Sequence, residues 1–349
     1  MHSNPTMITG DLKYLRLPIT TNIQPGMQVL IVTDTAHDPR VWQVLMSAIS
    51  EVGAEATLAM FDPRPADYFD PPQAVCEAML KADVNILLCT TGMLHAKANF
   101  EAMRAGVPVI CMDGGMTLEM FQSGAVTEDQ KQMAVRQHYV ATNIFGRDAK
   151  MVRVTTKYGT DFTYSVEGRI HVPALPGDDF VPYKITSMTR NKNFPRPRFL
   201  YPNGEFNIPP VEGSANGKLV IDLSMHQFDR LKSHIELTVK DGIIVGIDGG
   251  PEAWTLRNYL EKFGDDNCYV CPAEASVGIN SKAMVRGVQR EDKNILGSMH
   301  FGIGTNIDVG GTIHSNIHLD GVVLEPTVYV DGDKRMEHGR FLRNVEGPM

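Results

Sequence analysis

The chain has 349 residues, of which 43% are hydrophobic and 21% charged, with a net charge of −8. That composition excludes a disordered chain and a fibre, and the length predicts two domains able to bury their own cores. The acidic balance, with no dense Lys/Arg run, argues against a nucleic-acid partner, and no apolar stretch approaches the roughly 20 residues of a membrane span.

The opening MHSNPTMITGDLKYL lacks the basic head and apolar core of a secretory signal. Residues 27–33 (MQVLIVT), bounded by Gly26 and Asp34, predict a first strand. A helix is expected from Val41 to Val52, with Leu45, Ile49 and Val52 on one stripe. A strand at 55–60, a helix at 72–81, a strand at 84–89, a helix at 98–105 and a strand at 107–112 follow, then a long helical stretch over 128–146. Continuous apolar strands separated by helices predict a parallel sheet covered on both faces. The expectation is a doubly wound, Rossmann-like α/β domain over 1–150. The first strand is followed by TDTAHDPR rather than G-x-G-x-x-G, so no dinucleotide site is read.

Beyond Lys150 the pattern changes to short alternating segments at 151–156, 161–166 and 218–223. A hairpin is expected at 234–241 and 243–248 around Asp241-Gly242, and a helix at 251–263. The Pro-rich stretch 172–210 includes Pro173, Pro195 and Pro210. It is too long for an ordinary connection and is expected to form an active-site wall or a dimer contact. Residues 151–349 are expected to form a mixed α+β domain carrying a metal site.

The chemistry concentrates near the C-terminal end. In TIHSNIHLD, His318 and Asp320 are two apart and would share one face of a strand. A His and a carboxylate so placed make a half-site for a divalent metal; a solvated alternating strand is the plainer alternative. His314, in the same phase, is the candidate substrate contact. His300 lies in the Gly-rich run GSMHFGIG, where glycines admit a ligand or another backbone. Glu274, among small and apolar residues, needs a partner if buried; metal ligation and a hydrogen-bonded pair are both open. Glu205, in YPNGEF, reads alone as a turn residue. Cys268 and Cys271 form a lone C-x-x-C without a second pair, so two thiols are preferred to a zinc site. The five cysteines read as reduced thiols of a cytoplasmic protein. Asp161 and Arg169 are expected to form a salt bridge.

The ordered pieces PNGEFNIPPVEGSANG, AEASVGIN, GSMHFGIGTN and GGTIHSNIHLDGVV resemble the aminopeptidase T and aminopeptidase S metallopeptidases. The resemblance implies that Glu205, Glu274, His300, His318 and Asp320 bind two divalent metals (Zn, Mn or Co). It implies a homodimer that hydrolyses an amide or peptide bond through a metal-activated water. Glu205 is the candidate general base if it is not a ligand. A Tyr of those peptidases falls on Ile307. The same superfamily contains 2,5-dihydroxypyridine 5,6-dioxygenase, an Fe(II) ring-cleaving enzyme that the chain resembles in length and in IDGGPEAWTLRNYLEKFGDDNCY. There two His and one Asp hold the iron. His318 and Asp320 match, the first His falls on Glu274, and His300 is available to complete the set.

Overall fold

The computed structural model describes residues 12–187 and 197–347; the N-terminal residues 1–11 and Pro195, both invoked above, lie outside them. Gln28–Asp34 is buried after its first residue, as a central parallel strand should be. It pairs in parallel with Glu55–Phe61 on one side and Val84–Leu88 on the other. Val109–Cys111 and Pro197–Leu200 extend the sheet in parallel, and Thr186–Ser187 closes it antiparallel. Part of the Pro-rich stretch is thus sheet. The helix Pro39–Glu51 begins at Asp38, whose side chain accepts from the Arg40 amide, and Pro39 fills a first-turn position where no donor is needed. A helix at Lys13–Asn22, with Pro18 inside it, has no counterpart in the sequence reading.

The chain divides into two compact units, one running to Thr127 and including Val181–Pro202, the other comprising Glu128–Phe180 and the residues from Asn203. The expected break after Lys150 is displaced for a packing reason. The stretch read as one helix is Gln130–Tyr139 followed by a π-helical Val140–Phe145. Its Met133, Val140, Ala141, Ile144 and Phe145 belong to the core of the second unit.

That unit contains two antiparallel sheets. The larger has eight strands, and its Ile235–Lys240 and Ile243–Gly249 form the expected hairpin. Asp241 and Gly242 both take positive φ there, as a tight hairpin turn requires. The smaller has six strands, in the order Asp229–Arg230, Ser224–Met225, His318–Val323, Met299–Gly304, Glu274–Gly278 and Glu205–Ile208. Side chains alternate between its faces. One face turns Ala275, Val277, Phe206, Phe301, Ile303, Leu319 and Val323 into the core. Phe301 meets Phe162 and Tyr164 of the larger sheet edge-on, with ring centroids 5.7 and 6.1 Å away. Gly321 lets Ile221 of that sheet approach to where a Cβ would lie 2.6 Å from it.

The mixed content is therefore α/β, with a parallel sheet in one unit and antiparallel sheets in the other. Among the described residues, no helix is long and apolar enough to cross a membrane.

Candidate metal centre

The opposite face of the six-stranded sheet holds the polar residues. Antiparallel register places Glu274 opposite Gly302 and Gly302 opposite Asp320. His300 faces Ser276, Gly304 faces His318, and Gly278 faces Glu205. Directly paired residues point the same way. Glu205, Glu274, His300, His318 and Asp320 therefore converge from four neighbouring strands. Gly302 sits at the middle of the row, where a Cβ would lie 3.0 Å from His318 Cε1 and 3.2 Å from Asp320 Oδ1. Its φ is not in the left-handed region, so the glycine keeps space open rather than relieving backbone strain.

The donors fall into two groups able to hold an ion, Glu205–Glu274–His300 and Glu274–His318–Asp320, with Glu274 common to both. His300 Nε2 lies 2.8 Å from Glu274 Oε1 and 3.6 Å from Glu205 Oε2. His318 Nε2 lies 3.1 Å from Asp320 Oδ1 and 3.5 Å from Glu274 Oε2. His318 Nδ1 donates to the Thr305 carbonyl at 2.7 Å. A carbonyl can only accept, so this bond fixes the tautomer and aims Nε2 at the carboxylates. Ser276 Oγ donates to Glu274 Oε1 at 3.0 Å.

The site passes a fit test for a divalent ion. Asp320 Oδ1 faces only His318 Nε2 and Glu205 Oε2 faces Lys293 and, farther off, His300, so both oxygens keep lone pairs that a cation can take. Carboxylate oxygens and imidazole nitrogens are the donors such ions take. Electrostatics agree. Burial and the Asp320 charge push the Glu274 carboxyl up, but hydrogen bonds from His300 and His318 outweigh them and hold it well below the usual range. Asp320 is likewise opposed by burial and carried well below by Lys293 and His318. Burial lowers both histidines, yet the surrounding carboxylates raise His300 and lift His318 well above the ordinary imidazole value.

The structure brings together all five predicted donors and leaves His314 aside. His314 is exposed in an irregular segment before the strand begins at His318, so the two-residue phase does not reach it. Cys268 and Cys271 are buried free thiols outside either donor group. Asp161 pairs with Arg153, and Arg169 with Glu212, rather than with each other. The sequence reading missed Gln289 and Lys293. Gln289 Nε2 donates to Asp320 Oδ2 at 2.8 Å. Lys293 Nζ reaches Asp320 Oδ2 at 3.1 Å and Glu205 Oε2 at 3.3 Å. Their source, QREDKN, reads as a solvated polar run, yet Gln289, Arg290, Glu291, Asp292 and Asn294 are all buried.

A buried carboxylate–histidine cluster on one sheet face of a mixed α/β chain makes this a candidate metal site. The chain belongs to the family described as NicX, 2,5-dihydroxypyridine 5,6-dioxygenase, whose sequence model matches residues 16–343. It is 24% identical over 259 residues to a 2,5-dihydroxypyridine 5,6-dioxygenase of Pseudomonas putida, covering 71% of this chain and 68% of the relative. The solved structure of 2,5-dihydroxypyridine dioxygenase from Pseudomonas putida KT2440 is similar in fold, with a TM-score of 0.72 at 20% identity, covering 98% of this chain and 99% of that one. Wild-type AmpT from Thermus thermophilus is similar with a TM-score of 0.62 at 13% identity, covering 97% of this chain and 100% of that one. The dioxygenase part of the expected grouping thus holds through the family match, and the likeness to AmpT is one of fold.

Proposed function

We propose that this chain is a metal-dependent hydrolase of an amide- or peptide-type bond in a small substrate, with its metal held among Glu205, Glu274, His300, His318 and Asp320. The grouping of the donors carries this reading: both clusters pass through Glu274, and neither contains both histidines. A mononuclear iron centre of the two-His-one-carboxylate kind needs both histidines on one ion. A bound divalent ion would supply Lewis acidity and a water of lowered pKa.

The chain's own residues supply position and proton transfer. Gln289 and Lys293 hold Asp320 by Oδ2, which leaves Oδ1 facing His318. Thr305 holds His318 from behind. Glu205 has the most exposed side chain of the five donors, at 17%. It is placed to accept a proton from an attacking water as general base. Ile307 offers no hydroxyl where the resembling peptidases carry Tyr, which favours a small amide or a heterocycle over a long peptide. The working unit is taken to be a homodimer, which light scattering would check.

A second reading, Fe(II)-dependent cleavage of a dihydroxypyridine-like ring, is favoured by the family match across residues 16–343. One experiment separates the two. Protein purified without oxygen is loaded with zinc, manganese, cobalt or iron(II), then assayed for amide hydrolysis and for oxygen uptake with dihydroxypyridines. Amide turnover without oxygen uptake is expected. Oxygen uptake confined to the iron form would replace hydrolysis with ring cleavage.

A further inference from the structure

We infer that Lys293 is a built-in cation that limits this centre to one divalent ion, held by Glu274, His318 and Asp320. The inference rests on the metal reading above and concerns how many ions the five donors accept. Glu205 and Asp320 are the outer carboxylates of the two donor clusters, and the same ammonium touches both. Its effect on them differs. Asp320 divides its oxygens, Oδ2 to Lys293 and Gln289 and Oδ1 toward His318, so its inward oxygen stays available. Glu205 does not divide them. The oxygen nearest His300 is Oε2, and Oε2 is also the atom that faces the ammonium. An ion in the Glu205–Glu274–His300 cluster that takes this oxygen competes with Lys293 for it.

Charge points the same way. Three carboxylates face the Lys293 ammonium, and the buried Arg290 adds a further positive charge that acts on it, so one divalent ion already offsets the negative charge that is left. A second ion would leave the cluster positive where these side chains are at most 17% exposed and water screens little. The ammonium is also held in place. Lys293 follows the buried turn Gln289–Asp292, and its amide donates to the Gln289 carbonyl at 3.1 Å. Asp292 ties that turn down, accepting from the Arg286 amide at 2.7 Å, the Gly287 amide at 3.2 Å and Ser224 Oγ at 2.8 Å.

The test is metal stoichiometry by equilibrium dialysis against Zn2+ or Mn2+ with elemental analysis per chain, on wild type, K293M, K293Q and K293R, with thermal unfolding to confirm folding. One equivalent is expected in wild type and K293R. Two are expected in K293M and K293Q, the second bound at least about 100-fold more tightly than wild type binds it. With Mn2+, the electron paramagnetic resonance spectrum of the neutral variants should show two coupled ions through the shared Glu274. Two equivalents in wild type, or one in both neutral variants, overturns the role of Lys293 and leaves the metal reading standing. No bound metal in any of the four overturns the metal reading and this inference together.

Discussion

Buried carboxylates occur in both units, and they are used in opposite ways. In the first unit Asp34, Asp67 and Asp113 hold the loop after the strand Val84–Leu88. Asp34 accepts from the Ala36 amide with one oxygen and from the Thr90 amide and hydroxyl with the other. Asp67 accepts from the Gly92 amide, and Asp113 from the Met93 amide and the Cys111 thiol. In the second unit Glu205 Oε2 and Asp320 Oδ1 accept from no backbone amide that holds a loop; they face Lys293 and the two histidines. Amide, hydroxyl and thiol donors reach both oxygens of Asp34 and of Asp113, so those two groups are structural. The second set has donor capacity left over, and that surplus is what a metal uses.

The sharpest way to break this contrast is His318→Ala. It should lower metal affinity by more than about 100-fold, beyond the range for disturbing a ligand's support, with the fold intact; elemental analysis after dialysis would show it. Asp34→Ala should do the reverse. It strands the half-buried Thr90 amide and hydroxyl and frees the exposed Ala36 amide to water, and should cost about 1–2 kcal/mol of stability, read by denaturant unfolding, while bound metal per folded chain stays unchanged. If Asp34→Ala strips the metal, the division between structural and metal-binding carboxylates fails.

Gly302→Ala fills the middle of the row and should weaken metal binding by about 10- to 100-fold while changing the unfolding midpoint little; calorimetric titration would measure it. The smallest effect concerns Asp222, which separates surplus from site. Its Oδ1 accepts from the Leu324 amide, while its Oδ2 is buried without a hydrogen-bond partner. It belongs to neither metal-donor group. Burial pushes its carboxyl up to about 6. A carboxyl raised in the folded state binds its proton more tightly there than in the unfolded chain. Its ionisation therefore costs stability that begins to be lost above the unfolded value near 4, with the full penalty reached above about 6. Asp222→Asn should stabilise the protein by about 1–2 kcal/mol at pH 7.5 and by less at pH 5, seen in unfolding curves at the two values. An equal gain at both would show that the shift is not the cause.

Much of this was legible in the sequence because it depends on local period. The apolar runs after Gly26 and at 84–89, the helix at 251–263 and the Asp241-Gly242 hairpin all follow from spacing and turn chemistry. The H-x-D step works because strand alternation puts both side chains on one face. His314 fails the same rule because the strand starts only at His318. Lys293 and Gln289 were hidden for a different reason. A run of charged residues reads as surface, and only the tertiary fold shows that Glu291 and Asp292 spend their charges capturing loop amides and Arg286. The first unit's sheet was also incomplete on paper. The strand Pro197–Leu200 joins it from a distant, Pro-rich part of the chain, and no local signal announces that pairing.

The alternation of the six-stranded sheet also constrains how this protein can change over time. Because the side-chain period is two, losing or gaining one residue within Met299–Gly304 or His318–Val323 would turn the histidines toward Phe162 and Tyr164 and bring Phe301 or Leu319 to the metal face. These strands are therefore open to substitution but closed to insertion and deletion. Length variation among descendants of this chain should collect in the connections between strands, where a changed count leaves the parity of the donors intact.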